Sequence, residues 1–120
     1  MKILIVDDSK AMRMIVIRTL RQAGYGHHDL AEATNGAEAL AAARVAGPDL
    51  ILSDWNMPEM NGLQLLEGLR AEGYEGPFCF VTSESTDDMK ERAFAAGAKA
   101  FVTKPFTPEA LASALGNVLS

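Results

Sequence analysis

The stretch that decides the fold is LILSDWNMPEMNG, residues 50–62. It opens with the apolar run Leu50-Ile51-Leu52 and, after Ser53, reaches Asp54; asparagine, proline and glycine residues follow soon after. Aspartate is a poor strand former and is costly to hold beside an apolar core, whereas the residues after it are turn formers. The stretch therefore predicts a short buried strand that delivers Asp54 to one edge of a sheet and is followed by a turn.

Short apolar runs and helical patterns alternate along the whole chain. The predicted strands are residues 3–6, 29–33, 50–52, 78–81 and 100–102. Apolar side chains at spacings of three and four mark the helices between and after them: Met12, Ile15, Val16, Leu20 and Ala23; Ala37, Leu40 and Ala41; Leu65, Leu66 and Leu69; Met89, Ala93 and Ala96; Leu111, Leu115 and Val118. Because the units alternate, we expect a single α/β domain over residues 1–120, with a parallel five-stranded sheet and helices on both faces.

Helix ends are marked by residues with known end preferences. Gly24, Gly47, Gly73 and Gly97 each follow a helical pattern, where a left-handed cap favours glycine. Thr107-Pro108 has the order of an N-cap and a first-turn proline for the last helix. These signals support the same helix boundaries.

Polar side chains appear where four of the strands end. They are Asp7-Asp8, Asp54, Thr82-Ser83 and Lys104-Pro105, whereas strand 2 ends in Thr34-Asn35-Gly36, which is typical of a turn and helix cap. Each of the four has an ordinary structural explanation when taken alone. Because the carboxyl ends of parallel strands meet at one edge, where α/β proteins bind their ligands, their coincidence favours a functional site.

The chemistry of this cluster indicates phosphoryl transfer assisted by a metal ion. Clustered carboxylates either raise a pKa or bind a cation, and oxygen ligands without His or Cys suit Mg²⁺. A carboxylate such as Asp54 can attack phosphorus and form an aspartyl phosphate. The metal, Lys104 and the Thr82 hydroxyl would stabilise charge on the phosphoryl oxygens.

Four motifs, in this order, resemble the receiver domains of two-component response regulators along the whole chain. They are VDDS at 6–9, SDWNMPEMNG at 53–62, VTSE at 81–84 and FVTKPF at 101–106. The resemblance is greatest to the single-domain, CheY-like chemotaxis type. It implies a flavodoxin-like three-layer sandwich with strand order 2-1-3-4-5. Chemotaxis response regulators are themselves known examples of α/β proteins that bind their ligands at the carboxyl ends of the strands.

The resemblance also implies roles for the acidic residues. Asp54 would be the phosphoacceptor. Asp8, Asp54 and the backbone carbonyl of Asn56 would hold Mg²⁺, with Asp7 helping directly or through water. Asn56 and Glu84 would flank the path of the attacking water and set the lifetime of the phosphoryl group, which we expect to be short.

Three further residues would stabilise and report the phosphorylated state. Lys104 would pair with the phosphoryl group, and its bond to Pro105 would be cis. Thr82 would capture a phosphoryl oxygen, and Phe101 would rotate as the aromatic switch. The chain would catalyse only its own phosphotransfer and dephosphorylation, so we expect a signalling protein and not an enzyme acting on an external substrate.

The resemblance further implies two protein partners. A histidine kinase would donate the phosphoryl group, and a target would bind the face made by helix 4, strand 5 and helix 5. Two departures weigh against flagellar-motor binding: Phe101 stands where the chemotaxis type usually has Tyr, and residues 108–120 contain no Lys or Arg. Helix 4 also starts with Asp87-Asp88.

Composition limits the possible partners and the location of the protein. The chain has 120 residues and a formal net charge of −5, which argues against nucleic-acid binding, although this charge also simply keeps a small domain in solution. The only cysteine, Cys79, lies in an apolar run and is expected to be buried and inert. The first apolar run is too short for a signal peptide or a membrane span. We expect a cytoplasmic monomer.

Trp55 and three arginines of helix 1 lie outside these motifs. Trp55 is expected to be a partly exposed loop residue, useful as a fluorescent reporter. Arg13, Arg18 and Arg21 form either a solvated face of helix 1 or a docking surface for the kinase's phosphohistidine domain.

Other functions fit the same alternation less well. A flavodoxin-like electron carrier needs a Ser/Thr/Gly-rich phosphate loop after strand 1, where this chain has Asp7-Asp8-Ser9-Lys10-Ala11. A haloacid-dehalogenase-type phosphatase needs Asp-x-Asp there, and the same residues lack it. The remaining alternative is a receiver excised from a larger regulator or hybrid kinase, or one that acts as a phosphate sink.

Overall fold

The computed structural model describes residues 1–45 and 47–119. Five strands form one sheet: β1 (Lys2–Val6), β2 (Asp29–Ala33), β3 (Leu50–Ser53), β4 (Phe78–Thr82) and β5 (Ala100–Thr103). They are all parallel and lie in the order β2-β1-β3-β4-β5. The predicted strands and their order are therefore confirmed.

The helices lie between and after the strands, as predicted. They are α1 (Lys10–Leu20), α2 (Gly36–Val45), α3 (Gly62–Ala71), α4 (Asp87–Ala95) and α5 (Pro108–Leu119). Ser9, Asn61, Thr86 and Thr107 each accept a hydrogen bond from a first-turn backbone N–H. The predicted Thr107 cap is confirmed, and the Asn61 cap forms a capping box with Gln64.

Three of the predicted capping glycines have the left-handed conformation. Gly24, Gly73 and Gly97 have φ values of 99°, 88° and 107°. Gly24 lies inside a single wide turn, Arg21–Tyr25, that continues α1, and its left-handed backbone interrupts the helical conformation there. Gly47 adjoins Ala46, which lies outside the described residues, so its cap stays a prediction.

Chain direction decides which helices share a face of the sheet. The step from β1 to β2 runs one way across the sheet, and the steps from β2 onwards to β5 run the other way. Because right-handed crossovers are strongly preferred, α1 lies on one face and α2, α3 and α4 on the other. α5 returns to the face of α1, since Val16, Leu20, Leu111 and Leu115 share one apolar cluster.

Alternate residues of each central strand feed two separate cores. In β1, Ile3 and Ile5 pack towards α1 and α5, whereas Leu4 and Val6 pack towards α2 and α3. Every residue of β3 and β4 is buried, as their continuous apolar runs predicted. The central strands are thus rigidly held, and their carboxyl ends form a fixed platform.

One member of the predicted apolar face of α1 is placed differently. Ile15 is 41% exposed, whereas Val16 and Leu20 are buried. One residue corresponds to about 100° around a helix, so the side chain that precedes Val16 lies on the flank of the helix. The assignment of Ile15 to the buried face was wrong.

The predicted burial of Cys79 is confirmed. Cys79 is fully buried, and burial raises the pKa of its thiol to about 12. Within residues 1–45 and 47–119, none of the helices has the length and apolar content that a membrane crossing requires.

Candidate functional site

Asp7 is the fixed member of the acidic cluster. It follows β1 and is only 3% exposed. Its Oδ1 accepts a hydrogen bond from the Ser9 backbone N–H at 2.9 Å, and its Oδ2 accepts one from Lys104 Nζ at 3.0 Å. Since both carboxylate oxygens are engaged, Asp7 is held in one orientation.

Asp8 and Asp54 complete the cluster. One carboxylate oxygen from each of Asp7, Asp8 and Asp54 lies within 4.8 Å of the other two. Asp8 is exposed and Asp54 is half-buried at the end of β3. Asp54 Oδ1 accepts the Trp55 backbone N–H at 2.7 Å. The three strand-end carboxylates therefore meet as the sequence predicted.

Lys104 supplies positive charge to the cluster from β5. Its Nζ lies 3.0 Å from Asp7 Oδ2 and 3.6 Å from Asp54 Oδ2, and its side chain is 11% exposed. The peptide bond to Pro105 is cis, as the resemblance implied. One ammonium group faces three carboxylates, so the cluster keeps an excess of negative charge.

Thr82 provides an unused hydrogen-bonding group at the end of β4. It is fully buried, and its Oγ1 has no hydrogen-bond partner among the described residues. A buried hydroxyl without a partner is energetically costly and is uncommon in folded proteins. The hydroxyl is therefore suited to an oxygen atom that enters the site.

Phe101 lies on the same face of the sheet as Thr82. It is paired with Phe80, and Thr103 is paired with Thr82, so Phe101 and Thr82 belong to the same face of the sheet. Its half-buried ring lies 5.8 Å from the Phe80 ring and 6.5 Å from the Trp55 ring, centroid to centroid.

Asn56 and Glu84 are in contact with each other. Asn56 Nδ2 donates a hydrogen bond to Glu84 Oε1 at 3.1 Å, and both residues are exposed. The two residues follow different strands, and the loops after β3 and β4 bring them together. This contact places the two predicted lifetime-tuning side chains next to each other.

The donor set fits a magnesium ion. All the candidate ligands are oxygen atoms, and the carboxylate excess of the cluster favours a hard divalent cation. Asp8 and Asp54 would hold the ion, together with the Asn56 backbone carbonyl, while Asp7 is already engaged by Ser9 and Lys104. Asp7 is therefore better suited to helping through water than to binding directly.

A cleft of about 530 Å³ opens over the cluster. Its polar floor contains the three aspartates, Ser9, Ser83 and Lys104, and its apolar side is formed by Met12, Ile15, Pro105 and Phe106. The exposed position of Ile15 is explained by this cleft, since its side chain borders the site and not the core. The site therefore combines a charged centre with an apolar border.

Two residues are placed differently from their predicted positions. Trp55 is 6% exposed, because it packs against Phe80 and Phe101, so the expectation of a partly exposed loop residue was wrong. Arg13 is 8% exposed, so it belongs to neither the solvated nor the docking face expected for it. Its spacing of three residues before Val16 was a sequence signal for burial.

Comparison with known proteins agrees with this geometry. The family model for the response regulator receiver domain matches residues 3–116, and the chain belongs to this family. Receiver domains bind Mg²⁺ at an acidic pocket, and the cluster of Asp7, Asp8 and Asp54 lies where that pocket is expected.

Within the family, the chain falls among receivers of the CheY chemotaxis type. It is 43% identical to the chemotaxis protein CheY homolog of Campylobacter jejuni, over 99% of this chain and 92% of the relative. It is 41% identical to chemotaxis protein CheY1 of Helicobacter pylori, over 99% of this chain and 97% of that protein. The solved structure of Vibrio cholerae chemotaxis protein CheY4 is 39% identical, with a TM-score of 0.87 over 98% of both chains.

Proposed function

We propose that this receiver accepts a phosphoryl group on Asp54 from the phosphohistidine of a histidine kinase, and then signals in chemotaxis through phosphorylation-dependent protein binding. The observation that carries the proposal is the convergence of three carboxylates, the Lys104 ammonium and the unpartnered Thr82 hydroxyl at one edge of the sheet. Residues 1–120 act as one cytoplasmic receiver domain in this proposal.

The geometry favours one oxygen of Asp54 as the nucleophile. Oδ1 accepts a hydrogen bond from the Trp55 N–H, whereas Oδ2 lies 3.6 Å from Lys104 Nζ. Asp54 Oδ2 forms a bond to phosphorus, the phosphorus–nitrogen bond of the phosphohistidine breaks, and the imidazole leaves and is protonated. Asp8, Asp54 and the Asn56 backbone carbonyl would hold Mg²⁺, which would supply positive charge for the phosphoryl oxygens.

Lys104 and Thr82 then hold the transferred group. Lys104 pairs with a phosphoryl oxygen, since its ammonium already lies between Asp7 and Asp54. The Thr82 hydroxyl donates to a second oxygen and gains the partner that it lacks in the unphosphorylated state. Phe101 rotates into the space that Thr82 vacates, which changes the surface of α4, β5 and α5.

Asn56 and Glu84 set the lifetime of the phosphorylated state. Their side chains are joined by a hydrogen bond of 3.1 Å in the loops that follow β3 and β4, and in this proposal they flank the path of the attacking water. Water attacks phosphorus, the bond to Asp54 Oδ2 breaks, and the carboxylate and inorganic phosphate are released. The side chains orient or exclude that water.

The apolar border of the cleft is the contact surface for the phosphodonor domain. Met12, Ile15 and Phe106 lie beside the charged centre, and Ile15 is 41% exposed. Burying this surface would stabilise the complex while the phosphohistidine reaches Asp54. The target, in contrast, binds the face of α4, β5 and α5.

The test is phosphorylation by a small donor, acetyl phosphate, followed by intact mass and peptide mapping. With Mg²⁺ we expect one added phosphoryl group on the peptide that contains Asp54, and quenching or enhancement of Trp55 fluorescence. With the metal removed by a chelator, neither change is expected. A phosphoryl group on another residue, or none in the presence of Mg²⁺, would contradict the proposal.

A further inference from the structure

Arg13 is a buried cation next to the site that the proposed chemistry does not use. It lies in the second turn of α1 and is 8% exposed. Its Nη1 donates to the Asp7 backbone carbonyl at 2.7 Å, and its Nε donates to Glu32 Oε1 at 2.9 Å. The guanidinium therefore joins α1, the end of β1 and β2.

The carbonyl that Arg13 holds belongs to the peptide between the two acidic residues. Its orientation fixes the chain on both sides, so it controls the directions of the Asp7 and Asp8 side chains. Asp7 is also held through its carboxylate by Ser9 and Lys104, whereas the exposed Asp8 depends on its backbone for position. Asp8 is thus the ligand most sensitive to this peptide.

Arginine is suited to this contact because two of its nitrogens are used at once. The planar guanidinium presents Nε and Nη1 in fixed directions, one towards a carboxylate and one towards a carbonyl. The Glu32 carboxylate compensates the charge, since a buried guanidinium without a partner would be costly.

We propose that Arg13 is a positioning residue of the metal site. Its ion pair with Glu32 fixes the guanidinium, which holds the Asp7–Asp8 peptide so that the Asp8 carboxylate is preorganised for the cation. This inference rests on the proposed function, because it assigns a role towards the same magnesium ion. Residues that orient metal ligands commonly change metal affinity by about 10- to 100-fold when removed.

The main variant is Arg13→Met, which keeps the apolar stem and removes every donor. Mg²⁺ titration followed by Trp55 fluorescence is expected to give a dissociation constant about tenfold higher than in the wild type. Saturating Mg²⁺ should restore the rate of phosphorylation by acetyl phosphate, since Arg13 touches no reacting atom. In the metal-free protein, the Ser9 amide should lose hydrogen-exchange protection, because its acceptor Asp7 is less firmly held.

Two further variants separate positioning from packing. Arg44→Met breaks the remote Arg44–Glu72 ion pair and should leave Mg²⁺ affinity unchanged. Arg13→Lys keeps the charge but offers one nitrogen, so it should give an intermediate affinity, and it serves as the folded variant if Arg13→Met does not fold.

The outcomes are distinguishable. A wild type that does not respond to Mg²⁺ would overturn the proposed function itself. A wild type that responds, with Arg13→Met and Arg13→Lys binding equally tightly although less stable, would overturn only the positioning role and leave Arg13 as a packing residue.

Discussion

Polar groups at the two edges of the sheet, where the amino ends and the carboxyl ends of the strands lie, differ in how far they are hydrogen-bonded within the protein. At the amino edge, Asp49 accepts the Lys2 backbone N–H at 2.7 Å, and the Tyr74 hydroxyl donates to the Pro48 carbonyl at 2.5 Å. At the carboxyl edge, three carboxylates crowd around one ammonium, and the buried Thr82 hydroxyl has no partner among the described residues. These polar groups of the amino edge are hydrogen-bonded within the protein, whereas the carboxyl edge has an excess of negative charge and a hydroxyl group without a partner.

This difference indicates which edge awaits a ligand. Buried polar groups are normally satisfied within the protein, so a cluster that is left unsatisfied lowers stability unless something else completes it. A cation and a phosphoryl group would supply the charges and acceptors that the carboxyl edge lacks. Matched substitutions at the two edges should therefore have different consequences.

The largest expected effect is that of the same substitution at each edge. Asp54→Asn should abolish phosphorylation by acetyl phosphate, because a neutral amide is not a nucleophile towards phosphorus. Asp49→Asn should leave phosphorylation unchanged, since the amide oxygen can still accept from Lys2. Intact mass in the presence of Mg²⁺ measures both. Equal labelling of Asp54→Asn and wild type would remove Asp54 from its role.

A second pair of substitutions compares two glycines of α3. In Gly62→Ala, near the carboxyl edge, the new methyl group would collide with the Asp54 carbonyl oxygen and crowd the Phe80 ring. We expect a loss of stability of about 3 kcal/mol. In Gly68→Ala, the methyl group would meet Leu40 at 3.6 Å, an ordinary contact. This change should stabilise the helix by about 0.5–1 kcal/mol.

Chemical denaturation of the two alanine variants provides the measurement. Opposite signs of the change in unfolding free energy would show that Gly62 is required by close approach and not by helix conformation. A small effect at both positions would show that the loop carrying Asp54 can move, which would weaken the description of a rigid platform.

Most of the fold could be predicted because its determinants are local and periodic. The runs at 50–52 and 78–81 are continuously apolar, which only strands covered on both faces require. Ile15 was misplaced because apolar character shows that a side chain avoids water, but not whether it is covered by the core or by a cleft. Only the packed structure separates these two cases.

The candidate site could be predicted as a set of residues, but not as a network. The strand ends brought Asp7, Asp8, Asp54 and Lys104 to one edge before any distance was known. Burial of Arg13 was indicated only by its spacing of three residues before Val16, and its charge did not distinguish it from a surface arginine until its partner was found. Its partner Glu32 lies on β2, 19 residues further along the chain.

A third prediction compares a buried hydroxyl group without a partner with a half-buried one that is hydrogen-bonded. Thr82→Val removes an unpartnered hydroxyl without changing shape, so we expect the unphosphorylated protein to be more stable by about 1 kcal/mol. Tyr74→Phe removes a hydroxyl that is bonded to Pro48, so a loss of about 1 kcal/mol is expected. Urea unfolding without Mg²⁺ measures both variants. A loss of stability in Thr82→Val would mean that its hydroxyl is already satisfied.

The smallest effect is expected at the amino edge, where Arg44 on α2 pairs with Glu72, the C-cap residue of α3. The two bonds, Nε to Oε1 and Nη2 to Oε2, are both 2.7 Å long, but the Arg44 side chain is 60% exposed, so solvent and salt weaken the pair. The hydrogen bond from Arg44 lowers the pKa of Glu72 below its usual value of 4.5. A carboxylate with a lowered pKa stabilises the folded state above its unfolded pKa, and this contribution is lost as the pH falls through the lowered value.

Arg44→Met should therefore reduce the melting temperature slightly at about pH 7 and at low salt. The difference from the wild type should vanish in about 1 M salt and at pH values below the lowered pKa. If it persisted under both conditions, the Arg44 stem would act by packing, and the amino edge would not depend on this ion pair.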